Sequence, residues 1–315
     1  MSTQEFRPQT LIDAMRYFAD PEVCDRYVAS LRWPNGIECP HCQSREIGRI
    51  ATRRMYQCKS CRKQFSVKRG SIFEDSAISL DKWLAAIWLI ANCKNGISSY
   101  EVARDLGVTQ KTAWFMLHRI RLAMQDESFA KLSGLVEADE TFIGGKARYM
   151  HKDRRERKIR GGTGVSGKVV VLGMLERHGK VKTQVVRNVR RRNLDPQVRQ
   201  HVEPGTELHT DALPSYESLE DEYTHKVIDH AERYVDGNIH TNCMENYWSC
   251  LKRGLKGTYI SVEPFHLFRY LDEQAHRFNN RELSDKERFE SVVSAVAGKR
   301  LTYDKLTGET PTAVH

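Results

Sequence analysis

Nothing in this chain approaches the ~18 consecutive apolar residues of a membrane span. Its longest apolar stretch, Trp83 to Ala91, has the length of a core helix. The amino terminus lacks an apolar leader core, since Ser2, Gln4, Glu5 and Arg7 are polar and mixed in charge. These absences predict a cytoplasmic protein with no membrane partner. Acidic residues are in deficit: 41 Asp and Glu stand against 50 Lys and Arg, a net charge of +9. The pI near 9.1 favours a polyanionic partner without identifying one. Cysteine is sparse too. Four of the eight sit in two tight pairs, and Cys24, Cys93, Cys243 and Cys250 are scattered through helical patterns, which excludes a disulfide framework and predicts one metal site plus buried thiols. At 315 residues, two or three folding units are expected.

The tight pairs are Cys39-Pro40-His41-Cys42 and Cys58-Lys59-Ser60-Cys61, with fifteen residues between them. Four thiolates in two such knuckles complete a tetrahedral Zn²⁺ shell, and a closed shell leaves no position for substrate, so the metal is structural. His41 is surplus to that shell and is expected to face solvent. Residues 53–57 and 64–68 alternate as short strands. Before them, Leu11, Met15 and Phe18, then Val23, Tyr27, Leu31 and Trp33, are spaced as two amphipathic helices that cap the ribbon.

A helix is predicted from an N-cap at Ser79 to about Asn92. A second begins at Ser98, where Glu101 completes a capping box, and runs to Leu106. Gly107-Val108 makes a turn, and a third helix covers residues 109–121. This is a helix-turn-helix pattern, which would offer Gln110, Lys111 and Arg119 to DNA. An ordinary helical hairpin shares the same apolar spacing.

From Leu135 the pattern becomes one of strands that carry acids. Strands are expected over 135–143, 169–175, 181–186, 206–210 and 225–228, with helices over 193–202, from 213 and over 241–252. The order predicts a mixed α/β sheet. Asp139 closes Glu137-Ala138-Asp139, Asp211 ends the fourth strand, and Glu245 lies on the last helix. Carboxylates are the hard ligands that Mg²⁺ (or Mn²⁺) prefers, and two such ions roughly 3.5–4 Å apart serve in-line phosphoryl displacement. Glu137 shares a strand face with Asp139 and is its rival as ligand, whereas Glu140 points oppositely. A basic run from Lys146 to Arg160 includes Arg154, Arg155 and Lys158. It reads equally as a solvated loop or as a phosphate track beside Asp139. Among the histidines, His209 and His240 lie nearest the acids. Trp248, Tyr247, Phe265, Phe268 and Tyr270 are expected in the core.

These motifs together resemble the DDE transposases of bacterial insertion sequences that carry an amino-terminal zinc ribbon. The resemblance is carried by Arg32-Trp33-Pro34-Asn35-Gly36, Glu137 to Thr141 with Gly144-Gly145-Lys146, Asp211 with Tyr216, Glu245 through Trp248-Ser249 to Lys252-Arg253-Gly254, and Arg277-Phe278-Asn279-Asn280-Arg281. It covers nearly the whole chain. It implies a ribonuclease H-like catalytic domain, two Mg²⁺ ions held by Asp139, Asp211 and Glu245, and Lys252 as a catalytic cation. In some relatives an Asn stands third, and Asn242, one turn before Glu245 on the same face, is the substitute. DNA, meaning element ends and target, is the implied partner, with self-association on DNA. Domain expectations are 1–70 for the helical cap and ribbon, 71–128 for the helix-turn-helix, 129–290 for the catalytic domain and 291–315 for a polar tail. A non-catalytic DNA-binding regulator and a structure-selective nuclease are the competing readings.

Overall fold

A computed structural model of the chain describes residues 8–126, 128, 130–145, 167–211, 214–228 and 240–308. The basic run with Arg154, Arg155 and Lys158 lies outside the described residues. The chain divides into two compact units. One takes residues 1–125 together with 280–315, and the other takes 126–279.

In the first unit, α1 (Leu11–Tyr17) and α2 (Pro21–Arg32) precede a three-stranded antiparallel ribbon of β1 (Ile47–Ile50), β2 (Met55–Cys58) and β3 (Gln64–Phe65). The helix α1 buries Ala14, with Phe18 just beyond it, while Leu11 and Met15 of the predicted apolar face are exposed. Three more helices follow: α3 (Leu80–Asn92), α4 (Ser99–Leu106) and α5 (Gln110–Met124). Ser98 and Glu101 form the full capping box, and Gly107 ends α4 in the left-handed region at φ 60°, where a Cβ would be strained. Thr109 then caps α5 by accepting from the Thr112 N–H.

Residues 280–308 were expected to divide between the catalytic domain and a polar tail. They instead complete the core of the first unit. The helix α9 (Asp285–Ser294) sends Phe289 against Trp88, with ring centroids 5.0 Å apart, and against Phe18. The physical cause is a short apolar set, Phe289, Val292, Val293 and Val296, each fully buried although surrounded by polar residues. Polar composition masked it. The last helix, α10 (Tyr303–Thr307), buries Leu306.

The second unit is a five-stranded sheet in the order β6-β5-β4-β7-β8: β4 (Leu135–Ile143), β5 (Val169–Glu176), β6 (Val181–Val186), β7 (Glu207–Asp211) and β8 (Thr224–Ile228). The strands β4, β5 and β6 pair antiparallel, whereas β4–β7 and β7–β8 pair parallel. Alternation assigns the faces. Val136, Ala138, Val170 and Leu172 meet Leu194 and Val198 of α6 (Arg191–His201) on one side. Val171 and Leu175 meet Met244, Tyr247 and Trp248 of α7 (Asn242–Gly257) on the other, backed by α8 (Leu267–Asn279). The helix expected from Leu213 is described as a 3₁₀ helix over Pro214–Leu219. Phe265 and Phe268, expected in the core, are half exposed.

Candidate metal centre and acidic site

The four knuckle cysteines come together. Their sulfurs lie within 4.8 Å of one another, with Sγ–Sγ separations of 3.7 Å (Cys39–Cys61) and 3.5 Å (Cys42–Cys58). A tetrahedral ion with Zn–S bonds of 2.3 Å sets its sulfurs roughly 3.8 Å apart, so the cluster fits zinc without rearrangement. Each knuckle ends on a residue in the left-handed region, Gln43 at φ 61° and Arg62 at φ 60°, which turns the chain around the cluster. The Cys61 backbone N–H, 3.5 Å from Cys58 Sγ, draws that thiol down, toward the thiolate a metal requires, while its neighbour Cys42, against its Ser44 backbone bond, is pushed up by burial and by Cys58. His41 is exposed.

In the second unit the acids converge through register. Glu137 pairs with His209 across the parallel β4–β7 ladder, and Asp139 and Asp211 each stand two residues further along. They therefore occupy equivalent positions on adjacent strands, on the face that α7 covers. Burial pushes Asp139 up to about 6, with the repulsion of Asp211 and then of Glu245 adding to it against its hydrogen bonds. Asp211 Oδ1 is buried and has no hydrogen-bond partner among the described residues. A buried, unpartnered carboxylate oxygen inside a group of repelling acids is the donor set a hard divalent cation completes. Glu245 is exposed on the first turns of α7, as is Asn242. Lys252 lies two turns further along, within electrostatic reach of Asp139.

Three contacts seat α7 on this sheet. Glu137, fully buried, accepts the Met244 N–H at 2.9 Å through Oε2 and holds the Arg177 guanidinium at 2.8 Å through Oε1. Thr241, at the helix start, makes no side-chain cap, so Glu137 caps the helix from the strand. The Trp248 indole N–H donates to Asp139 Oδ2 at 2.9 Å, and the Glu140 N–H donates to Oδ1. Gly173 sits opposite Asp139 on β5, and the side chains of Met244 and Trp248 lie directly over it. Glu245 is thus bracketed by two residues pinned to the strand that carries Asp139.

Glu137, the rival ligand, has a different role from the one weighed in the sequence. Its oxygens, His240 and Cys243 are close enough to share an ion. However, Arg177 already donates to Glu137 and reaches His240 Nδ1 at 3.1 Å, so a fixed cation holds that position. His209 is buried and bonded to Glu207 at 2.8 Å. Glu140 lies on the opposite face, accepts the Tyr216 hydroxyl, and is pushed up to about 8 by burial, then by Asp211 and Asp139 against that bond. Trp248, read from sequence as core, is buried there and also donates a hydrogen bond to Asp139. A glycine inside the apolar run 169–175 was the available signal of close approach there.

The proposed DNA contacts of α5 fare unevenly. Arg119 is interior: it donates to the carbonyls of Leu301, Ile72 and Glu74 at 2.9–3.0 Å. That corrects its assignment to DNA. It lies on the face of α5 that buries Met116, three residues earlier in the helix. Gln110 donates to Ser99 Oγ, and Lys111 is exposed over the Tyr303 ring.

Protein-family profiles match two stretches. Residues 19–64 match the transposase zinc-ribbon domain, and residues 131–279 match the ISXO2-like transposase domain. Together they take in well over half of the chain. It belongs to the zinc-ribbon, ISXO2-like transposase family. A similar protein is the uncharacterized protein in transposable element ISH50 of Halobacterium salinarum, 29% identical over 72% of this chain and 81% of the relative. An uncharacterized transposase-like protein of Haemophilus influenzae is 33% identical over 34% of this chain and 87% of its own length. No solved structure matches the chain. The ISXO2-like transposase domain corresponds closely to the second unit, and no helix among the described residues is long and apolar enough to cross a membrane.

Proposed function

We propose that this chain is a DDE-type transposase that cuts and joins DNA strands at the ends of an insertion sequence, with a ribonuclease H-like second unit as its catalytic domain. The observation that carries the reading is the equivalent placement of Asp139 and Asp211 on adjacent parallel strands, with a buried, unpartnered Asp211 Oδ1. Asp139, Asp211 and Glu245 would hold two Mg²⁺ or Mn²⁺ ions, with Asn242, one turn earlier, as the substitute third ligand. Such ions, when bound, supply Lewis-acid polarisation of the scissile phosphate and a lowered pKa for the attacking hydroxyl. Trp248 and the Glu140 N–H keep Asp139 aimed while its repelling neighbours are neutralised. Lys252 binds a phosphate oxygen as a point charge.

The zinc ribbon and the α4–α5 pair, read as a helix-turn-helix, serve to bind the element ends, with Lys111 on the exposed side of α5. Positive charge opposes association of free chains, and DNA phosphates relieve it, so assembly is assigned to the DNA-bound state. Native mass measurement on paired end DNA should give at least two chains per complex. The chemistry is tested with Asp139→Asn and Asp211→Asn. Each should lose Mg²⁺-dependent strand cleavage and joining while keeping affinity for end DNA. Cleavage at wild-type rate by either variant refutes the site, and cleavage without joining in the wild type favours a nuclease.

A further inference from the structure

Beside the acids, within the second unit, lies a groove of about 740 Å³ between the end of β4, the start of β5, the last turns of α7 and the segment that follows it. Its lining is partly apolar, with Ile143, Leu255 and Leu267 among the residues. Lys252 and Lys256, one turn apart on α7, and Lys168, just before β5, line it, and Glu263 is the one carboxylate among the lining residues described. None of the three lysines makes an ion pair with a described residue. Burial, and then repulsion from Lys256 and Lys168, draw Lys252 below its ordinary value against the attraction of Asp139, so the three ammonium groups share one field. Gly144 lets Lys168 close in: a Cβ there would stand 3.2 Å from Lys168 Cγ.

Ile260 forms part of the rim. It is 81% exposed and sits at φ 58°. A β-branched side chain in the left-handed region is a backbone outlier, and such strain persists where the surroundings hold it. An exposed apolar side chain held out over three converging cations pairs an apolar face with anion-binding charge. A base paired in a duplex has no free face, whereas an unpaired nucleotide presents a π-face and a phosphate together.

We propose that this groove binds an unpaired stretch of the DNA strand adjoining the acids, with bases against Ile143, Leu255 and Ile260 and successive phosphates on Lys168, Lys252 and Lys256. The proposal rests on the strand-transfer reading for its substrate. It adds that the DNA end is held open rather than as a closed duplex. Three cations spread along one groove suit a strand better than a mononucleotide.

The test is photocrosslinking of the full-length protein, without divalent metal, to a short oligothymidylate carrying 5-iododeoxyuridine. Crosslinks should map to Ile143 or to residues 255–267. Ile260→Glu and Lys256→Glu, both at exposed positions, should each lower the yield roughly tenfold. Unlabelled oligothymidylate should compete, and thymidine monophosphate or duplex at equal phosphate should not. Crosslinks confined to other peptides, insensitivity to both variants, or equal competition by duplex would overturn the proposal. Because no cleavage is needed, the two readings separate. A protein that crosslinks here but never cuts DNA keeps the groove and loses the transposase chemistry. One that cuts DNA in Mg²⁺ but crosslinks elsewhere loses only the groove.

Discussion

A single methyl group at Gly173 asks whether α7 is seated through its contact with β5. An added Cβ would stand 2.3 Å from Met244 Cε and 2.6 and 2.7 Å from Trp248 Cζ2 and Cη2. The methionine end yields readily, because three rotatable bonds let it move aside. The indole is rigid and buried, so it must lift by about 1 Å to regain an ordinary carbon–carbon separation of about 3.5–4.0 Å. Overpacking of this kind costs about 1–3 kcal/mol. Lifting the ring also breaks the indole bond to Asp139, and a bond to a charged group contributes about 1.5–3 kcal/mol. Gly173→Ala should therefore lose about 2–5 kcal/mol in urea unfolding, the strain and the lost bond sharing one relaxation. It should also weaken Mn²⁺ binding measured by calorimetry, because Asp139 loses its aim. Trp248→Phe removes the clashing outer ring, so the double variant should lose less than the sum of the single changes by about 1 kcal/mol or more. Additive losses, or wild-type stability and Mn²⁺ affinity in Gly173→Ala, would refute the seating of α7.

Glu137→Ala removes the fully buried carboxylate that pairs with Arg177 and caps α7, so it should destabilise by about 2–4 kcal/mol in the same urea experiment; a change under about 0.5 kcal/mol would remove Glu137 from this role. Arg119→Ala strands three buried carbonyls and should cost about 3 kcal/mol or more, while leaving DNA affinity per folded molecule unchanged. A selective loss of DNA binding at full stability would return Arg119 to the DNA-facing side. The metal-free chain should lose stability as pH rises from about 4 to about 8. Folded Asp139, held up to about 6 against an ordinary 3.8, and Glu140, up to about 8 against 4.5, keep protons that the unfolded chain has released. Thermal melts across that range should show a shallower fall for Asp139→Asn and a reversal with saturating Mg²⁺; an unchanged slope in the variant would count against crowding of the acids. Chelation should release one zinc per chain and unfold the ribbon, since a closed thiolate shell couples binding to folding. Zinc-free protein with the ribbon still folded would contradict this.

Local features were legible because their signals are short-range. The strand Leu135–Ile143 was read with its observed bounds, since an apolar run ending in Gly144-Gly145 carries both its period and its stop. The capping box at Ser98 and Glu101 was read from four consecutive residues, and the two knuckles from cysteine spacing alone. The resemblance in the sequence and the family match converge on the same segments.

What could not be read was which long-range partner each surface would find. Arg119 shares its helix with exposed and buried neighbours, and only the return of residues 280–308 determines that its side faces Leu301. That return was hidden because four apolar residues among many charges carry little periodicity, yet they fill a space that α3 leaves open. Glu137 and Asp139 are indistinguishable as two alternate carboxylates on one strand face. Arg177, arriving from beyond β5, neutralises the first, while Asp211, brought alongside by β7, crowds the second. Residue types and spacing by themselves determined the chemistry available to this chain. The tertiary structure decided which carboxylate is spent on holding a helix and which stays unneutralised, because a neighbouring charge acts through distance in space and not along the sequence.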